Sequence, residues 1–161
     1  MRRALEAIYR KHKQGLFTLA LAVTGRADLA EDAVQEAFLH LWNSSRSARA
    51  GDLVGYVFAA VRNAAIDQLR KRPFAAEAPA SIFDGSAVGP EAAADRAEQF
   101  RLACRAVEAL PAEQREAVVL RIYAGLTFRQ AAEALGEPLA TVASRYRRAL
   151  ETIRAQLREI P

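Results

Sequence analysis

Three arginines near the carboxyl end of the chain carry its most informative chemistry. They are Arg145, Arg147 and Arg148, and they lie in residues 126–149, LTFRQAAEALGEPLATVASRYRRA. A guanidinium group can donate paired hydrogen bonds to O6 and N7 of guanine, and it can also contact phosphates. The segment predicts a helix, a tight turn at Gly136 and a second helix that bears these arginines, which is the layout of a helix-turn-helix. The pattern therefore predicts that DNA is a ligand of this chain.

The second helix of this segment has two chemically distinct faces. Apolar residues at three- and four-residue spacing predict a buried stripe made of Leu139, Val142, Tyr146, Ala149, Leu150, Ile153 and Leu157. The other face is expected to contact duplex DNA through Thr141, Ser144, Arg145, Arg147 and Arg148. The free N–H groups of the first turn, after Pro138, would place the positive end of the helix dipole near the phosphates. The alternative is an amphipathic hairpin whose arginines are only solvated.

The first helix of the motif has its own start and packing signals. Thr127 and Gln130 have the spacing of a capping box, which satisfies two free N–H groups at a helix start. Ala131 and Ala132 are small enough for close packing against the second helix, and Gly136 permits the sharp turn between the two.

The residue pattern of a predicted helix in the first half of the chain indicates a protein-docking surface. It is expected to start with Asp28 as N-cap and Glu31 as the partner in a capping box. Its inward face is predicted to consist of Ala33, Val34, Ala37, Phe38 and Leu41. A second face carries Asp32, Gln35, Leu39 and Trp42, and exposed large apolar residues beside an acid and an amide are typical of interfaces. The alternative is that Trp42 only covers the end of the core.

The next helix combines an aromatic ring with basic and amide groups. Its inward residues are predicted to be Val57, Val61, Ala64 and Leu69. Its other side carries Tyr56, Asn63, Asp67 and Arg70, with Arg62 nearby. Such a set can stack on and hydrogen-bond unpaired bases, although a plain solvated face is the alternative.

The elements that must position these residues are all helical. Alanine, leucine and arginine dominate the chain, and hairpin dipeptides are scarce. Helices are predicted at about Arg3–Val23, Asp28–Trp42, Leu53–Arg72, Glu91–Leu110, Pro111–Ala124, Thr127–Leu135 and Pro138–Arg158. The first is expected to break at Gly25, the second to dissolve in Asn43–Asp52, and Pro111 to occupy a first helical position.

The predicted fold is all-α, with two small helical domains joined by a flexible acidic linker. The domains are residues 1–72 and 95–161, and the second contains the helix-turn-helix. The linker, residues 73–94, is rich in proline, glycine and small residues, and its charges are all acidic. Ile82 and Phe83 are its only large apolar pair, and local docking of the linker is expected there.

Composition narrows the class of protein. The 161 residues carry a formal charge of +4, and the pI near 9.6 favours a polyanionic partner. Cys104 is the only cysteine, so no internal disulfide or zinc site is expected, and no cofactor is implied. The two histidines, His12 and His40, lie on different predicted helices, and there is no glycine-rich phosphate loop, so an enzyme is the least expected class. The start is charged rather than apolar, and no apolar run reaches membrane-spanning length, so a soluble cytoplasmic protein is expected.

Three segments, in this order, resemble the extracytoplasmic-function (ECF) group of bacterial RNA polymerase sigma factors. They are DLAEDAVQEAFLHLW (28–42), VRNAAIDQLRKR (61–72) and LPAEQREAVVLRIYAGLTFRQAAEALGEPLATVASRYRRALETIRAQL (110–157). The resemblance covers nearly the whole chain except the linker. It implies an all-helical polymerase subunit whose first domain docks on the polymerase clamp and opens the −10 promoter element. The second domain of such a subunit binds the −35 element as duplex.

The resemblance also implies roles for individual residues. Clamp contacts would come from Asp32, Gln35, Glu36, Leu39 and Trp42. The −10 face would hold Tyr56, Arg62, Asn63, Asp67 and Arg70, with help from the Asn43–Gly55 loop. Contacts to the −35 bases would come from Thr141, Ser144, Arg145 and Arg148, and Arg147 would contact a phosphate. Core RNA polymerase, promoter DNA and an anti-sigma protein are the implied partners.

Four positions depart from the family pattern. Relatives often have an apolar residue where this chain has Glu137, glycine at Ala140, lysine at Ala143 and tryptophan at Tyr56. A glutamate near DNA would repel phosphate unless it accepts a hydrogen bond from a cytosine amine. The missing lysine removes one expected phosphate contact.

The sequence is also compatible with two other functions. A sigma-like mimic would bind an anti-sigma protein without touching DNA, and it would not need the three arginines of the last helix. A stand-alone helix-turn-helix regulator would need a self-complementary dimer surface, and it would leave the first domain unexplained.

Overall fold

The computed structural model describes residues 1–44, 51–72, 81–83 and 94–159, and within these ranges all regular secondary structure is helical. Seven α-helices follow one another in the described residues. They are α1 (Arg2–Thr24), α2 (Ala27–Asn43), α3 (Leu53–Lys71), α4 (Ala94–Glu108), α5 (Ala112–Val118), α6 (Phe128–Leu135) and α7 (Leu139–Arg158). A π-helical turn, Val119–Tyr123, extends α5. The all-α prediction is confirmed.

The helix ends in the first half are set mostly by local chemistry. Gly25 terminates α1 in the left-handed conformation, with φ of 68°, as its position after the apolar pattern predicted. The predicted N-cap at Asp28 is wrong, because α2 begins at Ala27 with Arg26 as its N-cap. The Asp28 carboxylate accepts hydrogen bonds from the Arg26 guanidinium, the shorter of them 2.7 Å long. At the start of α3, the Asp52 carboxylate accepts hydrogen bonds from the N–H groups of Val54 and Gly55.

The second half differs from the prediction at two helix starts. Pro111 is the N-cap of α5 and not its first helical residue, because its extended ψ of 145° lies outside the helical range. Pro138 has the same place before α7, with ψ of 144°. The predicted start at Glu91 lies outside the described residues, which resume at Ala94.

The apolar stripes of α2 and α3 are largely as predicted. Ala33, Val34, Ala37 and Leu41 are buried on α2, and Phe38 is partly buried. Along α3, Val57, Val61 and Ala64 are buried, while Leu69 is half-buried. Phe58 is fully buried as well, and the sequence pattern missed it. Together with α1, these helices form a three-helix unit with a continuous apolar interior.

The stripe predicted on α7 is wrong at both ends. Val142 and Ala149 are fully buried, but Leu139 is 50% exposed and Leu157 is 39% exposed. Leu139 is the first residue of the helix, and every residue from 154 to 159 is exposed. Periodicity identifies the face of a helix that packs, but it does not say how far along the helix the packing partners extend.

The two halves of the chain share one apolar core. Residues of α5, the π-helical turn, α6 and α7 join the cluster formed by α1, α2 and α3. α6 packs against α3, and the π-helical turn packs against α1. The interior is tight here, because a Cβ at Gly15 of α1 would lie 2.9 Å from Cβ of Ala124. The two predicted domains are therefore in direct contact in this structure.

A short part of the predicted linker is held against the second half. Ile82 is 7% exposed, its N–H donates to the Glu108 carboxylate at 3.0 Å, and Phe83 packs edge-on against Tyr123. Local docking at Ile82 and Phe83 is thus confirmed. The rest of the linker, residues 73–80 and 84–93, lies outside the described residues.

Candidate nucleic-acid and protein interfaces

The turn between α6 and α7 has the geometry that the helix-turn-helix prediction requires. Gly136 is left-handed, with φ of 65° and ψ of 31°. The Glu137 N–H donates to the Ala132 carbonyl at 3.1 Å, and the Gly136 N–H donates to the Glu133 carbonyl. These two bonds form a Schellman motif, which fixes the path of the chain from α6 into α7. A side chain at Gly136 would strain the left-handed backbone.

The predicted capping box at the start of α6 is confirmed. The Gln130 N–H donates to the Thr127 hydroxyl at 3.1 Å, and the Thr127 N–H donates to the Gln130 side chain at 3.0 Å. Ala131 is fully buried, and Ala132 packs against the core, as close approach of the two helices requires.

Arg121 stabilises the helix-turn-helix through contacts that the sequence did not predict. Its guanidinium lies 4.4 Å from the ring centroid of Phe128 and 5.9 Å from that of Tyr146. It also donates to the Leu126 carbonyl. The two rings pack edge-on with centroids 5.4 Å apart. Through its contacts with the two rings and the Leu126 carbonyl, the Arg121 guanidinium holds the π-helical turn against α6 and α7. Local sequence patterns do not predict this cluster, because its residues come together only in the tertiary structure.

The outward face of α7 carries free guanidinium groups. Arg147 and Arg148 are exposed, and neither side chain forms an ion pair within the part of the chain that the structure describes. Thr141 and Ser144 are half-buried on the same helix. All four residues belong to α7, and hydroxyl and guanidinium groups are types of side chain that contact a DNA duplex.

Arg145 differs from the other two arginines of α7. Its guanidinium lies 3.3 Å from the Glu137 carboxylate and 3.6 Å from the Glu113 carboxylate. Its side chain is 21% exposed, so the group is held against the protein between the turn and α5. Arg145 is therefore paired with carboxylates and largely covered, whereas Arg147 and Arg148 are exposed.

The outer face of α2 is exposed as predicted. Leu39 is 63% exposed and Trp42 is 40% exposed, and Asp32 and Gln35 are exposed beside them. Glu36 is exposed too, but its carboxylate accepts a hydrogen bond from the buried Gln68 amide at 2.9 Å. This hydrogen bond connects the outer face of α2 to α3.

The same face continues into an apolar groove between α1 and α2. The groove has a volume of about 520 Å³. It is lined mainly by Leu5, Tyr9, Val34, Phe38, Leu39 and Trp42. Tyr9 packs edge-on against Phe38, and the Arg2 guanidinium lies 5.4 Å from the Trp42 ring. The contribution of α1 was not predicted. An open apolar groove beside exposed polar groups is the form of a protein-binding surface.

On α3, four of the five predicted residues share an exposed side. Tyr56 is 47% exposed, and Asn63, Asp67 and Arg70 are exposed as well. Tyr56, Asn63 and Asp67 line an open groove of about 430 Å³ together with Glu36 and His40 of α2. An aromatic ring, an amide and carboxylates beside such a groove can stack on a base and accept hydrogen bonds from its amine.

Arg62, the fifth residue, is engaged by the other half of the chain. Its guanidinium donates to the Glu116 carboxylate of α5 at 3.3 Å. Glu116 is buried, and this burial raises the pKa of its carboxyl above the ordinary value despite the opposing effect of Arg62.

Among residues 1–44, 51–72, 81–83 and 94–159, no three His, Cys, Asp or Glu side chains cluster so as to hold a metal ion. Cys104 is half-buried, and its burial raises the pKa of its thiol, which makes the thiol less reactive. No helix in the same ranges has both the length and the apolar content that crossing a membrane requires.

Two family models match the chain. Sigma-70 region 2 matches residues 8–73, and Sigma-70, region 4 matches residues 103–153. The chain is 32% identical over 171 residues to the ECF RNA polymerase sigma factor SigL of Mycobacterium tuberculosis, across 97% of this chain and 90% of that protein. It is 27% identical over 167 residues to the ECF RNA polymerase sigma factor SigE of Mycolicibacterium smegmatis. That match covers 94% of this chain and 61% of the relative, so the chain spans about three fifths of that protein's length.

Solved structures share the fold over the whole chain. The sigma factor RpoE in complex with the anti-sigma factor NepR, from Bartonella quintana, superposes with a TM-score of 0.71 at 23% identity, over 99% of this chain and 98% of that one. CnrH in complex with the cytosolic domain of CnrY superposes with a TM-score of 0.68 at 21% identity, over 100% of this chain and 92% of that one.

Proposed function

We infer that this chain, which belongs to the ECF RNA polymerase sigma factors, binds core RNA polymerase and directs it to a specific set of promoters. Membership follows from the two sigma-70 regions and from the identity to SigL. As a member of this family, the protein is a transcription initiation factor and not an enzyme. The observation that carries the DNA-binding part is the two-sided character of α7: Val142 and Ala149 are buried on one side, and Arg147 and Arg148 are exposed on the other.

We propose that residues 95–161 act as the −35-binding domain. Thr141, Ser144 and Arg148 would contact base edges, and Arg147 would contact a phosphate. The Schellman turn at Gly136 supports this role because it fixes α7 relative to α6. Arg145 would contribute to DNA contact only after leaving Glu137 and Glu113, so its role is subordinate.

We propose that residues 1–72 act as the polymerase-docking and −10-opening domain. Docking would use the outer face of α2, namely Asp32, Gln35, Glu36, Leu39 and Trp42. Tyr56, Asn63, Asp67 and Arg70 would capture unpaired bases of the −10 element at the groove between α2 and α3, and Arg62 would join them. Strand opening then requires no bond chemistry, because capture of unstacked bases stabilises the open state.

Residues 73–94 would join the two domains as a linker. Two weak contacts to one promoter reinforce each other once both are held on polymerase, since the second becomes intramolecular. We also propose a cytoplasmic location, where promoter DNA lies, and an anti-sigma protein as a regulatory partner. The fold neighbours RpoE and CnrH were solved with such a partner or with the cytosolic domain of another protein.

Run-off transcription with core polymerase tests the proposal. Promoters are first mapped from transcripts induced by overproduction, and the matching DNA is then transcribed with the purified chain. The Arg147→Ala/Arg148→Ala variant should bind core normally and lose promoter-specific transcripts, while Arg101→Ala, an exposed arginine on α4, should behave as wild type. If the double variant were fully active, the mimic that never touches DNA would be favoured. A stable dimer that binds a palindrome without polymerase would favour the stand-alone regulator.

A further inference from the structure

We propose that residues 81–83 act as an anchor segment, which fastens the linker to the second half of the chain and shortens its reach. The anchor segment must be released before one molecule can hold the −10 and −35 elements together. This role rests on the proposed function, because it assumes that the two halves bind these two elements.

One carboxylate holds the start of the anchor segment. The Ile82 N–H donates to Oε1 of Glu108 at 3.0 Å, and the Ser81 hydroxyl lies 2.8 Å from the same oxygen. Ile82 and Glu108 are 26 positions apart in the sequence, so this is a tertiary contact and not a local turn. Hydrogen bonds to a charged acceptor are stronger than those between neutral groups. The polar part of the attachment therefore depends on Glu108.

The position of Glu108 on its helix supports this role. It is the last residue of α4, where the helix dipole is negative and a carboxylate is unfavourable. Its own carbonyl accepts a hydrogen bond from the Arg115 guanidinium at 3.0 Å. The donors of the anchor segment meet the negative charge at this helix end. The side chain of Glu108 thus stabilises the attached linker rather than α4.

Apolar contacts hold the rest of the anchor segment. Ile82 is buried and belongs to the main apolar cluster of the protein. Phe83 packs against both apolar clusters, with its ring centroid 5.3 Å from that of Tyr123. Burial of a large aliphatic side chain and edge-on contact of two aromatic rings both favour the attached state.

Attachment leaves less than half of the reach of the linker. Arg72, which follows α3, is separated from Ser81 by the nine Cα–Cα steps between positions 72 and 81, which span about 30 Å when fully extended. After release, the chain is free as far as Ala94, the first residue of α4. The 22 steps between positions 72 and 94 span about 75 Å.

The two promoter elements are further apart than the attached linker can reach. By their positions, their centres are separated by about 25 base pairs, which is about 85 Å on straight duplex DNA. A folded unit of about 70 residues has a radius of about 15 Å, so the linker must bridge about 55 Å. The attached linker is too short for this distance, whereas the released linker is long enough.

Release of the anchor segment is therefore a step in promoter binding. A chain with an attached anchor segment can hold one element at a time. Its affinity for a complete promoter is reduced by the fraction of chains in which the linker is released. Glu108 thus influences promoter affinity without contacting DNA.

A cross-link that prevents release tests the proposal. Ser81→Cys/Glu108→Cys is made in a Cys104→Ser chain and joined with a short bismaleimide, since the two side chains are in contact. Glu98→Cys/Arg101→Cys, an exposed pair on α4, is joined in the same background as the matched control. Promoter-specific run-off with core polymerase, affinity for core polymerase and affinity for −35 duplex are measured for each chain.

The cross-link in the anchor segment should lower promoter-specific run-off by about tenfold or more, because the competent fraction falls. It should leave the affinities for core polymerase and for −35 duplex unchanged. The same chain before cross-linking should be at least as active as wild type, since the loss of the Glu108 carboxylate weakens the attachment. The cross-linked control should match wild type.

Hydrogen exchange provides a second measurement on the unmodified protein. The Ile82 N–H is bonded to Glu108 in the free chain and should exchange slowly. In the complete complex of chain, core polymerase and promoter, its exchange should be about tenfold faster or more. The Gln130 N–H, which is bonded within the capping box of α6, is the internal reference and should stay protected.

Two results would overturn the proposal. They are full run-off by the chain with the cross-linked anchor segment, and an Ile82 N–H that is as protected in the promoter complex as in the free chain. A loss of affinity for core polymerase on cross-linking would also reject it, because docking and not reach would then be affected. If the cysteine variant does not fold by circular dichroism, the exchange of wild type decides.

The same measurements distinguish this proposal from the proposed function. Absence of promoter-specific run-off in wild type would reject the proposed function. Normal run-off by wild type together with an active cross-linked chain would reject only the role of the anchor segment.

Discussion

Glu137 and Arg145 are joined across the turn of the helix-turn-helix, with the guanidinium 3.3 Å from the carboxylate. Glu113 lies 3.6 Å from the same guanidinium, so one positive charge faces two negative ones. From the sequence, Glu137 was predicted to repel phosphate unless it accepted a hydrogen bond from a cytosine amine, and Arg145 was predicted to bind DNA. In the structure each group moderates the charge of the other.

Replacement of Glu137 by alanine should therefore strengthen duplex binding. The change removes a negative charge beside the DNA-facing end of α7 and leaves Arg145 with one partner. We expect about fivefold tighter binding to any duplex at low salt, which corresponds to about 1 kcal/mol, and a salt dependence steeper by up to about one unit. Fluorescence anisotropy over a salt series measures both quantities.

The control for this prediction is Glu98→Ala on α4, which also frees an arginine from an exposed pair at 2.9 Å. It should leave duplex binding unchanged. Weaker binding by Glu137→Ala would contradict the prediction and show that Glu137 holds Arg145 in the orientation that binds DNA.

The capping box of α6 should contribute measurably to stability. Thr127→Ala leaves the Gln130 N–H without its acceptor, and we expect a loss of about 1 kcal/mol in the free energy of unfolding. For a chain of this length that loss lowers Tm by about 2–4 °C. Chemical denaturation provides the free energy, and calorimetry provides Tm.

Thr152→Ala is the matched control, because the Thr152 hydroxyl only donates to the Arg148 carbonyl within α7. Its effect should stay within about 0.5 kcal/mol. Equal losses in the two variants would mean that the box does not stabilise α6.

Glu116 should make stability depend on pH. Burial raises the pKa of its carboxyl in the folded state, so the folded chain holds a proton that the unfolded chain has already released. The free energy of unfolding should therefore fall as pH rises from about 4.3, the ordinary value for glutamate, and level off above the raised folded pKa. Urea denaturation at a series of pH values measures this slope.

Glu116→Gln should flatten that part of the profile and retain an oxygen that accepts a hydrogen bond from Arg62. We expect it to be at least as stable as wild type at pH 7, because the cost of burying the charge exceeds the attraction of Arg62. Glu98→Gln, at an exposed carboxylate, is the control. A Glu116→Gln profile as steep as that of wild type would show that another group causes the slope.

The features that the sequence predicted correctly are local ones. Gly25 and Gly136 end helices because a left-handed residue follows the apolar pattern, and the bonds that result span only a few residues. The Thr127 and Gln130 capping box is equally local. Asp28 shows the limit of local signals, because α2 begins one residue earlier, at Ala27, and the Asp28 carboxylate pairs with Arg26.

The features that escaped prediction depend on tertiary contacts. Arg62 meets Glu116 across 54 positions of sequence, and Arg145 meets Glu113 across two helices. Both arginines matched a family pattern for DNA contact, and neither match could show that a carboxylate already engages the group. The close approach at Gly15 was equally invisible, because a lone glycine in a helix pattern does not name its neighbour.

The outer face of α2 should carry most of the affinity for core polymerase. Leu39 and Trp42 are exposed beside an apolar groove, and a tryptophan that acts as a hot spot of an interface contributes about 2 kcal/mol or more to binding. Leu39→Ala/Trp42→Ala should weaken binding to core by at least about tenfold and leave −35 duplex binding unchanged. Leu157→Ala, at an exposed leucine beyond the packed part of α7, should retain wild-type affinity for core. Titration of core polymerase with the labelled chain measures the affinity. Thermal unfolding of each variant shows whether the substitutions also destabilise the fold. If the double variant had a lower Tm but bound core polymerase normally, the role of Trp42 would be only to cover the end of the apolar interior. The polymerase-binding surface would then have to lie elsewhere.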